Sequence, residues 1–195
     1  MIKVNRPICP NPSALSGGNY KHPDNKAALR NASFDKCVYC ESKVSHVYYA
    51  DVEHIKPKEK FPKLEFRWEN LGFVCAKCNG IKKDKFDEKT PFINPYEDDP
   101  DEHVLFFGAF IKHKKGSERG EITIDESKGI GLNRNELLER RHEKIQSIGK
   151  TIDRCFRTTN QQLKENAFEE LKKEADQVNE YSLCVKYLLQ AHQVL

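Results

Sequence analysis

Four cysteines stand in two pairs, Cys37-Val-Tyr-Cys40 and Cys75-Ala-Lys-Cys78. Two residues between thiolates let both sulfurs meet one ion within a tight turn, and two such turns complete a tetrahedral Zn2+ shell. Sulfur then takes all four positions and leaves none for water, so a zinc there is structural and its binding energy is folding energy. A second constellation lies between the pairs, in the stretch DVEHIKPK from Asp51 to Lys58. Glu53 stands directly against His54. A carboxylate beside an imidazole can bind a hard cation or serve a general base, and the flanking Lys56 and Lys58 suit an anionic visitor. Asn70 follows sixteen positions after His54, and Asn79 nine after that, directly behind Cys78. Lys82 and Lys83 close the segment, and such lysines hold a phosphate backbone without reading bases.

Elements must bring these residues together. Residues 1–30 are punctuated by Pro7, Pro10, Pro12, Gly17, Gly18 and Pro23 and read as a largely irregular arm. Residues 31–126 carry the chemistry. Within them, His103–His113 and Gly120–Asp125 read as two short strands, with a turn between Gly116 and Gly120. Glu97 to Glu102 reads as a solvated acidic loop. From 127 to 195 the period becomes helical: Leu137, Leu138, Ile145, Ile148 and Ile152 share one face. Two more helices are expected over Asn160–Asn179 and Tyr181–Val194. His46, near the first knuckle, reads as solvent-facing. The fold class expected is α+β.

Composition narrows the partners. Net charge is only +3, but the basic residues gather between Cys37 and Phe86 while the rest is near neutral. With 37% hydrophobic residues the core is modest, and a metal would help it. No run of apolar residues is long enough to span a membrane, and MIKVNRPICP lacks the apolar stretch of a signal peptide, so a cytoplasmic location is expected. In that reducing setting, seven cysteines favour metal binding or burial over disulfides.

The residues from Asp51 to Lys85, carried by DVEHIKP, WENLGFVCAKCNGIKK and the two knuckles, resemble the HNH endonucleases, also called ββα-metal or His-Me finger nucleases. The resemblance implies a ββα-metal finger stapled by a four-cysteine zinc site, followed by a β-hairpin and a C-terminal helical extension. It implies that His54 is the general base, that Glu53 and Asn79 bind a catalytic Mg2+ or Mn2+, and that Asn70 fixes the loop that orients the base. Asp51 is a further support for the metal or for the strand. Glu53 departs from the aspartate or histidine common before the base, and its extra methylene moves the oxygens outward, which bears on metal preference; Asn79 in place of histidine favours an oxygen-ligated ion. The stretches PFINPYEDDPDEH and GLNRNELLERR are similar to nuclease components of Septu-type anti-phage systems and some retron-associated nucleases. That likeness implies phage or plasmid DNA as substrate and an ATPase partner docked on the C-terminal helices. A non-catalytic zinc-stapled nucleic-acid-binding or adaptor module, or a nuclease acting on RNA, is the alternative.

Overall fold

Two short antiparallel strands hold the centre of the structure, a computed structural model that describes residues 1–44 and 50–195. They are β1 (Ala50–His54) and β2 (Leu71–Cys75), and their register sets Glu53 against Gly72 and His54 against Leu71. The sequence LGFVC is apolar throughout because β2 is buried along its whole length. The helix α3 (Ala76–Lys82) starts at once: Cys75 is its N-cap, and the Cys75 sulfur accepts the Cys78 N–H at 3.4 Å. The second knuckle is thus also a helix start. The first is a tight turn in which Cys37 N–H bonds Ser42 and Glu41 N–H returns to Cys37, both at 3.0 Å. Glu41 adopts a left-handed conformation there, at φ 63°. Val38 N–H donates to Phe73 O at 3.1 Å and docks that knuckle on β2. The ββα unit and the α+β class are as expected from sequence. His46 lies outside the described residues.

The N-terminal arm is more regular than its prolines imply. It holds α1 (Pro12–Ser16) and α2 (Pro23–Ala32). Proline breaks helices from inside but is preorganised for their first turn, where its missing N–H costs nothing. Asn11 caps α1 by accepting the Ala14 N–H at 3.1 Å. The arm is stapled to the finger. The Arg6 guanidinium donates to Trp68 O at 2.7 Å and Leu71 O at 2.8 Å, and Trp68 Nε1–H donates to Pro7 O at 2.7 Å.

Beyond the finger come α4 (Pro100–His103), β3 (Val104–Phe107) and β4 (Phe110–His113). The hairpin is therefore complete within His103–His113, and Phe107 pairs with Phe110 around a turn at Gly108, which has φ 57°. Gly120–Asp125, expected as its second strand, lies instead mostly in α5 (Glu118–Ile124). The Ser117 hydroxyl caps that helix through Gly120 N–H at 3.1 Å, and Glu118 and Glu121 favour its N-terminus. Local capping outweighs the β-branched run. A Cβ at Gly120 would meet His103 O at 2.6 Å, so only glycine lets α5 pack this closely. The acidic run is also less solvated than expected: Asp98 receives Arg119, and Asp101 receives Lys186 and Tyr187.

The chain ends in α6 (Asn135–Arg157), α7 (Gln161–Lys173) and α8 (Ser182–Ala191). The expected face of α6 is buried at Leu137, Ile148 and Ile152, with Arg141 buried among them. Of the expected α7 face, Leu171 is buried, whereas Leu163 is exposed. Leu137, Leu183 and Cys184 join the main apolar core with the finger and the arm; Ile148, Ile152, Leu171, Val185 and Leu189 form a second, purely helical cluster. No helix among the described residues is long and apolar enough to cross a membrane.

Candidate metal centre and phosphodiester site

Strand, turn and helix bring Cys37, Cys40, Cys75 and Cys78 together. All four are buried, and their sulfurs lie within 4.8 Å of one another. Cys40 and Cys75 sulfurs are 3.9 Å apart, close to the roughly 3.8 Å edge of a tetrahedron built on Zn–S bonds of about 2.3 Å. Four soft thiolates at tetrahedral spacing are a donor set that fits zinc. Four thiolates around a dication leave excess negative charge, and the Arg134 guanidinium meets it by donating to Cys78 Sγ at 3.4 Å.

The second constellation sits at the other end of β1. His54, Glu53, Asp51 and Asn79 line one cleft of about 440 Å³, with Tyr20, Lys21, Lys58 and Lys83 around them. His54 Nε2 lies 2.9 Å from Glu65 O. A carbonyl only accepts, so Nε2 carries the proton and Nδ1 is left as the basic nitrogen. Burial lowers the His54 pKa below its ordinary value, against the opposing pull of that hydrogen bond, so the ring is neutral at pH 7. Asn79 is the fourth residue of α3, half-buried, and its side chain makes no hydrogen bond among the described residues. That frees its amide oxygen for a ligand.

Asn70 is nearly wholly buried and clamps the loop between the strands. Its Oδ1 accepts Lys56 N–H at 2.8 Å, and its Nδ2 donates to Lys56 O at 2.9 Å and Leu64 O at 3.2 Å. One side chain so replaces a ladder pair and fixes the loop that carries Glu65, the partner of His54.

Glu53 and Lys82 give the largest surprise. Expected at a phosphate, Lys82 is 0% exposed and points inward from α3. Its ammonium donates to Glu53 Oε1, and to His54 O at 2.9 Å. Lys82 is therefore withdrawn as a nucleic-acid contact. Its position three residues after Asn79 puts both on one helix face, a signal that periodicity could have supplied. Tyr39 donates its hydroxyl to Glu53 Oε2 at 3.3 Å. Burial pushes the Glu53 carboxyl up to about 7, against the stabilising pull of Lys82 and Tyr39. Each Glu53 oxygen keeps lone-pair capacity beyond these contacts, so the donor set still fits a hard cation.

The remaining residues divide. Lys58 and Lys83 line the cleft, and Lys58 also pairs with Glu65 at 3.1 Å. Lys56 is exposed on the far side of the loop, near the rings of Phe61 and Phe86. Asp51 pairs with Lys21, a residue of the arm. Tyr20 and Lys21 carried no sequence signal, because nothing local marks an arm residue as neighbour to a site thirty positions away.

Residues 37–85 match the family model for HNH endonuclease. The chain carries an HNH-family domain. Its HNH segment spans both knuckles and every residue of the cleft except those that the arm supplies. Two relatives named Septu protein PtuB extend the likeness. One, from Bacillus thuringiensis, is 39% identical over a match covering 57% of this chain and 44% of the relative. The other, from Bacillus mycoides (strain KBAB4), is 31% identical, covering 66% of this chain and 53% of the relative. The chain spans about half the length of the curated relatives it matches.

Proposed function

We propose that this chain is a metal-dependent endonuclease that hydrolyses DNA phosphodiester bonds, acting in the cytoplasm as the effector of an anti-phage system. The observation that carries the reading is the His54 imidazole, its Nε2 2.9 Å from Glu65 O, on the cleft that Glu53 and Asn79 share. Zn2+ on the four cysteines staples the finger. Mg2+ or Mn2+, held by Glu53 and Asn79 with Asp51 beside them, would stabilise charge on the phosphate and the leaving oxygen. His54 Nδ1 takes the proton of the attacking water. As the ring becomes cationic, its Nε2–H bond to Glu65 O strengthens and keeps it in place. Asn70 keeps that carbonyl where it is needed, and Lys58 and Lys83 receive the flanking phosphates.

The similarity to the Septu proteins supports phage or plasmid DNA as the substrate and an ATPase as the partner. The C-terminal helices are the proposed docking surface; Phe156, Leu163 and Val178 are exposed there.

Plasmid cleavage by the purified chain in Mg2+ or Mn2+ tests the activity, with His54→Ala and EDTA as controls. Cleavage lost in both controls supports a metal-dependent nuclease using His54. Preference for an RNA oligonucleotide moves the substrate class. No cleavage by a zinc-loaded, folded chain, alone or with a co-expressed ATPase partner, leaves the adaptor reading.

A further inference from the structure

We propose that Tyr20, from the N-terminal arm, is a positioning residue that holds the His54 imidazole in the orientation its base chemistry needs. The inference rests on the endonuclease reading for its consequence but not for its geometry. The bond from Nε2–H to Glu65 O fixes one atom of the ring. A single hydrogen bond leaves rotation about the second side-chain torsion of histidine soft, since that torsion has broad minima. Tyr20 closes this freedom. Its ring centroid lies 4.5 Å from that of His54, edge-on at 62°. That is the short end of the range for aromatic pairs, so the edge of Tyr20 bears on the imidazole and opposes its turning.

Tyr20 is itself held from several sides. The turn after α1 is set by Gly18 at φ 81° and by Asn19 N–H on Ala14 O at 2.8 Å. Lys21 ties the next residue to Asp51 on β1. The Lys58 ammonium stands 5.6 Å from the Tyr20 ring, and Phe66 packs at 6.3 Å. The arm thereby becomes part of the site: an element outside the HNH segment walls the base against the loop that receives its proton-bearing nitrogen.

The test uses the zinc-loaded full chain with 15N-labelled histidine, and no divalent metal at the cleft. Two-bond proton–nitrogen spectra should give His54 as a single Nε2–H tautomer. Tyr20→Ala should give a mixture of tautomers with zinc content unchanged. Tyr20→Leu, which keeps apolar bulk in case the alanine variant does not fold, should give the same mixture. Tyr20→Phe, which keeps the ring, should restore the single form. In plasmid cleavage Tyr20→Ala should lower kcat about 10- to 100-fold with KM changed less than about 3-fold, and Tyr20→Phe should recover the rate. A single Nε2–H tautomer in the folded alanine or leucine variant overturns the proposal, as does a kcat within about 2-fold of the parent chain. If the unmutated chain cleaves nothing, alone or with a co-expressed ATPase partner, the endonuclease reading fails, and the nitrogen spectra still decide the role of Tyr20.

Discussion

Lys82 shows how one residue can look like a ligand for phosphate and be something else. A lysine among lysines beside a candidate cleft reads as a phosphate contact, yet its side chain lies wholly inside, on Glu53. Removing one partner of a buried pair strands the other charge, which costs about 3–5 kcal/mol. Lys82→Met is therefore expected to lower the melting temperature markedly with zinc retained, and Glu53→Gln combined with it should recover part of the loss. Calorimetry of the single and double variants checks both; an unchanged melting temperature in Lys82→Met would refute the pairing. Asn70→Ala leaves Lys56 N–H and O without their partner in a part-buried site, a cost of about 1–2 kcal/mol. The expected result is a chain that folds less stably and cleaves more slowly than its stability loss alone explains, read by urea titration beside the plasmid assay.

At the scale of elements, α8 is tied to the start of the hairpin through Asp101. Lys186 Nζ reaches it at 2.6 Å and the Tyr187 hydroxyl at 2.7 Å. Partial burial works against the charged form, but these two donors outweigh it and hold the Asp101 pKa below its ordinary value. A depressed carboxylate releases its proton more readily folded than unfolded. Its contribution is thus fully present above about pH 4 and is lost as pH falls through the lowered value. Being partly exposed, the cluster contributes about 1 kcal/mol or less. Asp101→Asn should flatten the acid limb of stability against pH below about 4, the ordinary carboxylate range, while leaving stability at pH 7 within that margin. Denaturation curves at several pH values measure it, and an acid limb of unchanged slope would remove Asp101 from the account.

Over the whole molecule, the first cysteine knuckle joins parts far apart in sequence. Lys36 Nζ donates to Asn179 O at 2.8 Å, Ser182 donates to Glu41 at 2.8 Å, and Ser42 and Tyr181 hydroxyls meet at 2.9 Å. Arg134, just before α6, reaches Cys78. The C-terminal helices therefore complete the core around the knuckle. Structural zinc in small fingers contributes about 10–16 kcal/mol, as much as a domain's whole stability of about 5–15. Chelation, or Cys78→Ser, is expected to unfold the finger and release residues 179–182 with it. Hydrogen exchange should then show protection lost across β1, β2 and the start of α8, and kept longest in the second cluster around Ile152 and Leu171. Unchanged exchange in β1 and β2 after zinc removal would contradict the stapling.

By itself the sequence determined the four-cysteine cluster, the ββα unit and the order His54, Asn70, Asn79, because these depend on short spacings whose geometry one turn or one helix can supply. Helical periodicity likewise placed Leu137, Ile148 and Ile152 on one buried face. The tertiary structure decided the rest. It packed Gly120 against His103 O and so held Gly120–Asp125 mostly in α5, because that close approach together with the Ser117 cap outweighs β propensity. It sent Lys82 inward, because α3 crosses β1 with that face toward Glu53. It set Tyr20 against His54, because the staples of Arg6 and Trp68 dock the arm on the finger across more than sixty residues of chain. Spacing along a chain encodes what neighbours can do, whereas contact between distant segments is settled only when the core they share is packed.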